Sequence, residues 1–173
     1  MLIAIDLQND YLDPKGKFYI PASAAILNPM EQRIRQALAE DELIVYTRNI
    51  YPESEYLERR ADDIRWAEAI YPQFTSLLAS GTSFDKHHYG IAPEEALRLK
   101  KNFQHLEQAF DQIEFIGVES NVCVLANINI IQNIFTEAKL RLNERHTASG
   151  DASLHQAALR VLEGLKIEVI RDL

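Results

Sequence analysis

The chain has 173 residues, 47% hydrophobic and 25% charged, which suits a single globular domain able to bury its own core without staples. A formal net charge of -8 argues against nucleic acid as the main partner, because phosphate binding calls for a basic surface. Its single cysteine, Cys123, rules out an internal disulfide and points to a reducing, cytoplasmic setting.

The apolar opening, residues 1–5, stops at Asp6. It is too short for a signal peptide and lacks a basic start. No apolar stretch is long enough to span a bilayer, so no membrane partner is expected. Residues 2–5 read as a buried strand. Asn28 can cap a helix with Pro29 at its first position, running to about Glu40. Residues 43–47 form a second apolar strand, and residues 55–79 read as mostly helical with a break near Pro72. A short strand over 83–86 precedes one or two helices over 93–110. Residues 113–117 are strand, 121–136 helix and 139–143 strand with alternating apolar positions. A helix over 150–164 stops at Gly164, and 166–170 is the last strand.

Apolar strands separated by helices of this length predict a three-layer α/β/α fold with a mostly parallel central sheet, formed by residues 1–173 as one domain. Ligands in such sheets sit outside the carboxyl ends of the strands. Asp6, Thr47, Lys86 and the segment after Gly117 all fall at those ends.

Each of these residues has an ordinary and a chemical reading. Asp6 is either a turn residue or a carboxylate facing the ligand crevice, where partial burial would suit it to carry a proton. Cys123 is either a core residue or a nucleophile. Near the start of a helix, unpaired N–H groups and the helix dipole favour a thiolate. Lys86 is either solvated or part of the same site. His87 and His88 invite a metal reading, but adjacent strand residues point to opposite faces and seldom share one ion.

The run Ala4-Ile5-Asp6-Leu7-Gln8-Asn9-Asp10-Tyr11 resembles the opening strand of the isochorismatase-like cysteine hydrolases, a family that includes nicotinamidases and carbamoyl-amino-acid amidases. Asp85-Lys86-His87-His88-Tyr89-Gly90 is similar to that family's lysine segment. Ile116-Gly117-Val118-Glu119-Ser120-Asn121-Val122-Cys123-Val124 resembles its nucleophile motif. Thr147-Ala148-Ser149, His155 and Ala157-Ala158-Leu159 resemble its last strand-to-helix segment. The matches keep the family's order over nearly the whole chain. The resemblance implies the Rossmann-like isochorismatase-like hydrolase fold and a thioester route. In that route Asp6 is the acid/base, Lys86 balances charge and helps keep the thiol acidic, and Cys123 attacks. It further implies an oxyanion hole from the backbone N–H groups of Glu119 and Cys123, a cis peptide at Val118–Glu119, and a homodimer or larger assembly.

Two departures narrow the expectation. Metal-binding nicotinamidases carry an Asp-x-His pattern after the second strand, where this chain has Asn49 and Tyr51. An amide and a phenol are poor zinc ligands, so no metal and no cofactor are expected. Glu119 stands where a small residue is usual, and its carboxylate could oppose a nearby thiolate. Tyr11 and Trp66 are candidates for the substrate wall, although Trp66 reads equally as helix packing.

The expected reaction is hydrolysis of a small amide or ureido molecule. The alternatives are cleavage of an isochorismate-type vinyl ether, which needs no thiol, and a non-catalytic family member that binds a metabolite. A flavodoxin-like carrier would need a phosphate loop after the first strand, and residues 8–13 do not supply one. Oligomerisation is expected on a second ground. Ile128, Ile130, Ile131, Ile134 and Phe135 spread over more than one helical face.

Overall fold

The computed structural model describes residues 1–110 and 112–171. Leu2–Ile5 form strand β1, in which every residue is buried. Side chains alternate between the faces of a strand. Leu2 and Ala4 therefore enter one core layer, and Ile3 and Ile5 enter the other. A strand apolar on both faces belongs inside a sheet covered on both sides. Parallel neighbours flank it, β2 (Ile44–Asn49) and β4 (Gln112–Val118). With β3 (Thr82–Lys86), β5 (Lys139–Ala148) and β6 (Glu168–Ile170), the order across the sheet is β3-β2-β1-β4-β5-β6, and every pairing is parallel.

The helices are α1 (Asn9–Leu12), α2 (Leu27–Ala39), α3 (Ala61–Glu68), α4 (Pro72–Thr75), α5 (Pro93–Phe103), α6 (Leu125–Gln132) and α7 (Ala152–Gly164). On one face Met30, Ile34 and Ala37 of α2 pack with Phe74 against Leu2, Ala4 and Ile116. On the other, Leu99, Ile128, Ile131, Leu159 and Leu162 from α5, α6 and α7 pack against Ile3, Ile5, Phe84 and Phe115. Each such side chain, fully buried, contributes roughly 1.5–3 kcal/mol. The expected three-layer α/β/α arrangement is the one observed. Among the described residues no helix is long and apolar enough to cross a membrane.

The strand order turns around at β1. The chain leaves β1 toward β2 and later returns to its other side as β4. A crevice opens above the carboxyl ends at such a switch point. Gly117 makes the close approach possible, since it has φ 117° and a Cβ there would lie 2.1 Å from the Ile5 carbonyl oxygen.

Several expected boundaries move for identifiable reasons. Helix α2 starts at Leu27, with Ile26 at its cap, because a 3₁₀ turn over Pro21–Ala25 feeds directly into it. Asn28 therefore lies inside the helix and does not cap it. The helix expected over 55–79 is a 3₁₀ turn (Glu53–Leu57) followed by α3 and α4. The link between those helices is tied to the segment after β1. Asn9 N donates to Ala69 O, Gln8 Nε2 donates to Glu68 O at 2.9 Å, and Gln8 bridges Ile70. Strand β5 runs on to Ala148 past the expected end at 143, with a register shift between Phe115 and Gly117 of its partner. The helix expected from Asn121 opens instead with a π-helical turn, Ser120–Val124. Ile128, Ile131, Ile134 and Phe135 are buried inside the chain itself, and Ile130 is half-buried against the same core.

At the amino ends of the strands lies a buried charge cluster. Glu114 Oε2 accepts from Arg33 Nε at 3.0 Å and from Arg141 Nη2 at 2.6 Å, and its Oε1 lies 3.2 Å from His146 Nδ1. Burial alone would raise this carboxyl, but His146, Arg33 and Arg141 together hold it down at about 2. A depressed carboxyl pKa contributes stability above its unfolded value and loses it as pH falls through the folded one. Glu114→Gln is therefore predicted to cost about 3–5 kcal/mol at neutral pH, because it leaves buried arginines short of charge. In urea titrations the gap from wild type should narrow as pH falls from 4.5 toward about 2. A gap independent of pH would show that the carboxylate charge is not what the cluster uses.

Candidate active site

Asp6 follows the last residue of β1 and has φ 53°, a left-handed conformation that Asp tolerates better than most residues. Ile5 pairs with Thr47 across the sheet, which brings the Thr47 hydroxyl beside it. Asp6 N donates to Thr47 Oγ1 at 3.2 Å, and that hydroxyl donates to Asp6 Oδ1 at 2.6 Å. The other carboxylate oxygen, Oδ2, lies 2.7 Å from Lys86 Nζ, and both side chains are fully buried.

Lys86 is the last residue of β3. A buried ammonium has to be surrounded by acceptors. Nζ faces the Asp6 carboxylate as an ion pair and donates to His88 O at 2.7 Å, Asn49 Oδ1 at 3.2 Å and Cys123 Sγ at 3.4 Å. Strands β1 and β3 and the turn after β4 thus deliver Asp6, Lys86 and Cys123 to one cluster. Sequence position alone could not establish that contact.

Cys123 lies in the π-helical turn that leads into α6, entered through a cis peptide bond between Val118 and Glu119. The turn is fixed to α7 by Ser120 Oγ, 2.8 Å from His155 Nδ1. Burial first, and the Asp6 charge second, push the Cys123 thiol up to about 12, outweighing the opposing pull of Lys86. Desolvation therefore works against the thiolate that the helix start and Lys86 favour. Glu119 does not confront it. Its Oε2 accepts from Gly150 N at 2.7 Å and Ser149 Oγ at 3.1 Å, turned toward the β5–α7 link.

Above the thiol opens a cavity of about 440 Å³. Tyr11 lines it, together with Phe18 and Tyr51. The loop after β3 supplies His87, His88 and Tyr89. Trp66 does not belong to it. That side chain lies in a separate surface groove beside Lys17 and Arg59, and its backbone carbonyl accepts from Asn9 Nδ2. Thr47 and Asn49 are parts of the site whose roles the sequence reading did not assign. Their common signal is position at the end of β2, one strand from Asp6.

The residues near Asn49 do not suit a divalent metal. Asn49 is neutral, and its oxygen is taken by Lys86. Tyr51 donates to Asp10 Oδ2 at 2.5 Å, and burial with that neighbouring charge raises its phenol, which keeps it neutral. Arg59 clamps the same carboxylate at 2.8 and 3.1 Å. Asp10 therefore already has its cation. Among the described residues, no three His, Cys, Asp or Glu side chains come together as a metal site.

The family and the fold are those of known proteins. A model of the isochorismatase domain matches residues 1–171. A nicotinamidase from Bacillus subtilis superposes with a TM-score of 0.79 at 16% identity, covering 99% of this chain and 98% of that one. An isochorismatase-like hydrolase from Alkaliphilus metalliredigens superposes at 0.75 with 19% identity, covering 98% and 92%. A pyrazinamidase of Pyrococcus horikoshii in complex with zinc gives 0.73 and 17%, covering 99% and 98%. No curated protein sequence matches significantly.

The two charges beside Cys123 push its thiol in opposite directions, which gives a prediction of opposite signs. Below its pKa, a thiol alkylates in proportion to its thiolate fraction, about tenfold per pKa unit before a partial offset in nucleophilicity. Asp6→Asn should speed iodoacetamide labelling of Cys123 several-fold. Lys86→Met should slow it by a similar factor. Equal rates in both variants and wild type would mean that the three groups do not form one electrostatic unit.

Proposed function

The chain belongs to the isochorismatase family, and from that premise we propose that it is a cysteine-dependent hydrolase of small amide or ureido molecules, working without a metal ion. The observation that carries this reading is the buried Asp6–Lys86 pair beneath the one thiol of the chain, at the base of a cavity.

Because the resting thiol is protonated, attack begins with proton transfer. Asp6 takes the Sγ proton as the sulfur bonds to the substrate carbonyl carbon, and the C=O electron pair moves onto oxygen. The N–H groups of Glu119 and Cys123 are the proposed donors to that oxyanion. Collapse of the tetrahedral adduct breaks the C–N bond, and Asp6 returns its proton to the leaving nitrogen. Water then attacks the thioester, giving its proton to Asp6, and the acid departs as the thiol reforms. Lys86 remains charged throughout. It holds Asp6 in place and stabilises the sulfur while that atom is anionic.

Asn49 gives the cavity a donor. Its Oδ1 faces the Lys86 ammonium, as electrostatics requires, which leaves Nδ2 for an acceptor on the substrate. In this reading the Arg59 and Asp10 contacts hold the Tyr51 side of the cavity wall fixed.

The thiol held at about 12 favours one second reading, cleavage of a vinyl ether with Asp6 as the proton donor and no role for sulfur. One panel separates the two. Small amides, ureido acids and isochorismate are assayed with wild type, Cys123→Ala and Asp6→Asn. The proposal expects turnover of an amide or ureido compound, abolished in Cys123→Ala and reduced about 10²- to 10⁴-fold in kcat by Asp6→Asn. Dialysis against a strong chelator should leave the activity intact, and Asn49→Ala should raise KM more than it lowers kcat. Activity that survives Cys123→Ala would transfer the case to the vinyl ether reading. Activity lost on chelation and restored by zinc would overturn the metal-free mechanism.

A further inference from the structure

Asn127 lies in α6, one turn beyond Cys123, on the buried face with Val124, Ile128 and Ile131. Its side chain is fully buried. An apolar residue of similar size would fill that place at lower desolvation cost, so a buried amide there needs a polar reason. The reason is its set of partners. Oδ1 accepts from Ile91 N at 3.0 Å, and Nδ2 donates to Tyr89 O at 3.0 Å and Cys123 O at 2.7 Å. One amide therefore joins the backbone of the nucleophile to two points of the loop that follows β3.

We infer that Asn127 is a positioning residue, whose amide fastens the loop that follows Lys86 to the turn that carries Cys123. Two further contacts lead to the same place. Gly90 lies so close to α6 that a Cβ on it would come within 2.6 Å of Ile130 Cδ1. From the other side, Lys86 Nζ donates to His88 O within the same loop. Successive parts of the loop are thus held alternately by the lysine and by the asparagine. Lys86 Nζ, bonded to that loop at His88 O, lies 3.4 Å from Sγ. Without Asn127 the loop and the lysine would move apart from the sulfur, and the lysine's lowering effect on the thiol would weaken. The consequence for catalysis rests on the proposed function. The consequence for thiol reactivity needs only Lys86 and Cys123.

The test is an alkylation cycle on the full chain, with iodoacetamide as the probe and neutral to mildly alkaline buffers. Wild type, Asn127→Leu, Lys86→Met and the double variant are compared. Asn127→Leu should slow labelling of Cys123 by roughly three- to tenfold, a partial loss of one pKa unit's effect. In the Lys86→Met background it should add nothing further, because its effect passes through the lysine. Asn127→Thr can restore a bond to the Cys123 carbonyl but cannot reach the loop, so it should be slowed as much as Asn127→Leu. A wild-type rate in Asn127→Leu, the same slowing in both backgrounds, or full rescue by Thr would each overturn the assignment. Hydrogen exchange of the Ile91 amide in the unmodified protein gives a reading that does not depend on any variant folding. Protection like that of the α6 interior supports the docking, and exchange as fast as that of exposed amides overturns it. A protein that passes these tests but hydrolyses no amide would sink the proposed function and leave the positioning role standing.

Discussion

The Asp6–Lys86 ion pair is the constraint around which the site is organised. Two opposite charges lie 2.7 Å apart with no exposure to solvent. Removing them from water costs several kcal/mol per ion, and their attraction offsets this only when the remaining hydrogen-bonding positions are also filled. The surrounding residues fill them. Thr47 bonds one carboxylate oxygen, and His88 O and Asn49 Oδ1 accept from the ammonium. Thr47 and Asn49 come from the end of β2 and His88 from the loop beyond β3, so the pair can exist only where β1, β2 and β3 are side by side in register. The sheet order therefore serves the chemistry as well as the core.

The same pair determines what the cysteine can be. A thiolate beside Lys86 alone would be stabilised, and one beside Asp6 alone would be opposed. With both present in a low-dielectric site, burial and Asp6 prevail. The thiolate is the reactive form of a cysteine, so the carboxylate that disfavours it here restrains the thiol. In the proposed reaction the same carboxylate receives the thiol proton. Electrostatic restraint of this kind differs from the usual picture of a helix terminus that sharpens a cysteine in advance.

How much of this the sequence discloses depends on the range of the interactions involved. The alternation of apolar runs and helices identifies the layers, because burial on both faces is written into each strand locally. Asp6, Lys86 and Cys123 stand out by their places at strand ends and by their resemblance to family motifs. Trp66 does not join the cavity, because an aromatic residue on a short helix carries no sign of which groove it faces. The break between α3 and α4 is expected from Pro72, but what holds it is not written locally. Its partners are Gln8 and Asn9, some sixty residues away. Asn127 reads in sequence as one polar residue in an apolar helix, and only its three distant partners reveal why it is there. The direction of the thiol shift was equally beyond reach, since it depends on a balance of burial and two charges that no spacing encodes.

The cluster around Asp10 follows the same logic at the rim of the cavity. Asp10 is fully buried, so its carboxylate needs a compensating positive group. Arg59 provides it through two hydrogen bonds in the fork geometry that a guanidinium favours, while Tyr51 closes the remaining approach and lies against the guanidinium, 5.2 Å from Arg59 Cζ to the ring centre. A guanidinium held this way differs from a metal ion in its chemistry. It has no open coordination position, it cannot polarise a substrate by direct ligation, and its charge is already spent on Asp10. Under the proposed function, recognition falls to the Nδ2 of Asn49, whose oxygen is held by Lys86, and to the ring of Tyr11. A flat substrate with one acceptor beside its scissile carbonyl would meet both without drawing on any charge the wall has already neutralised.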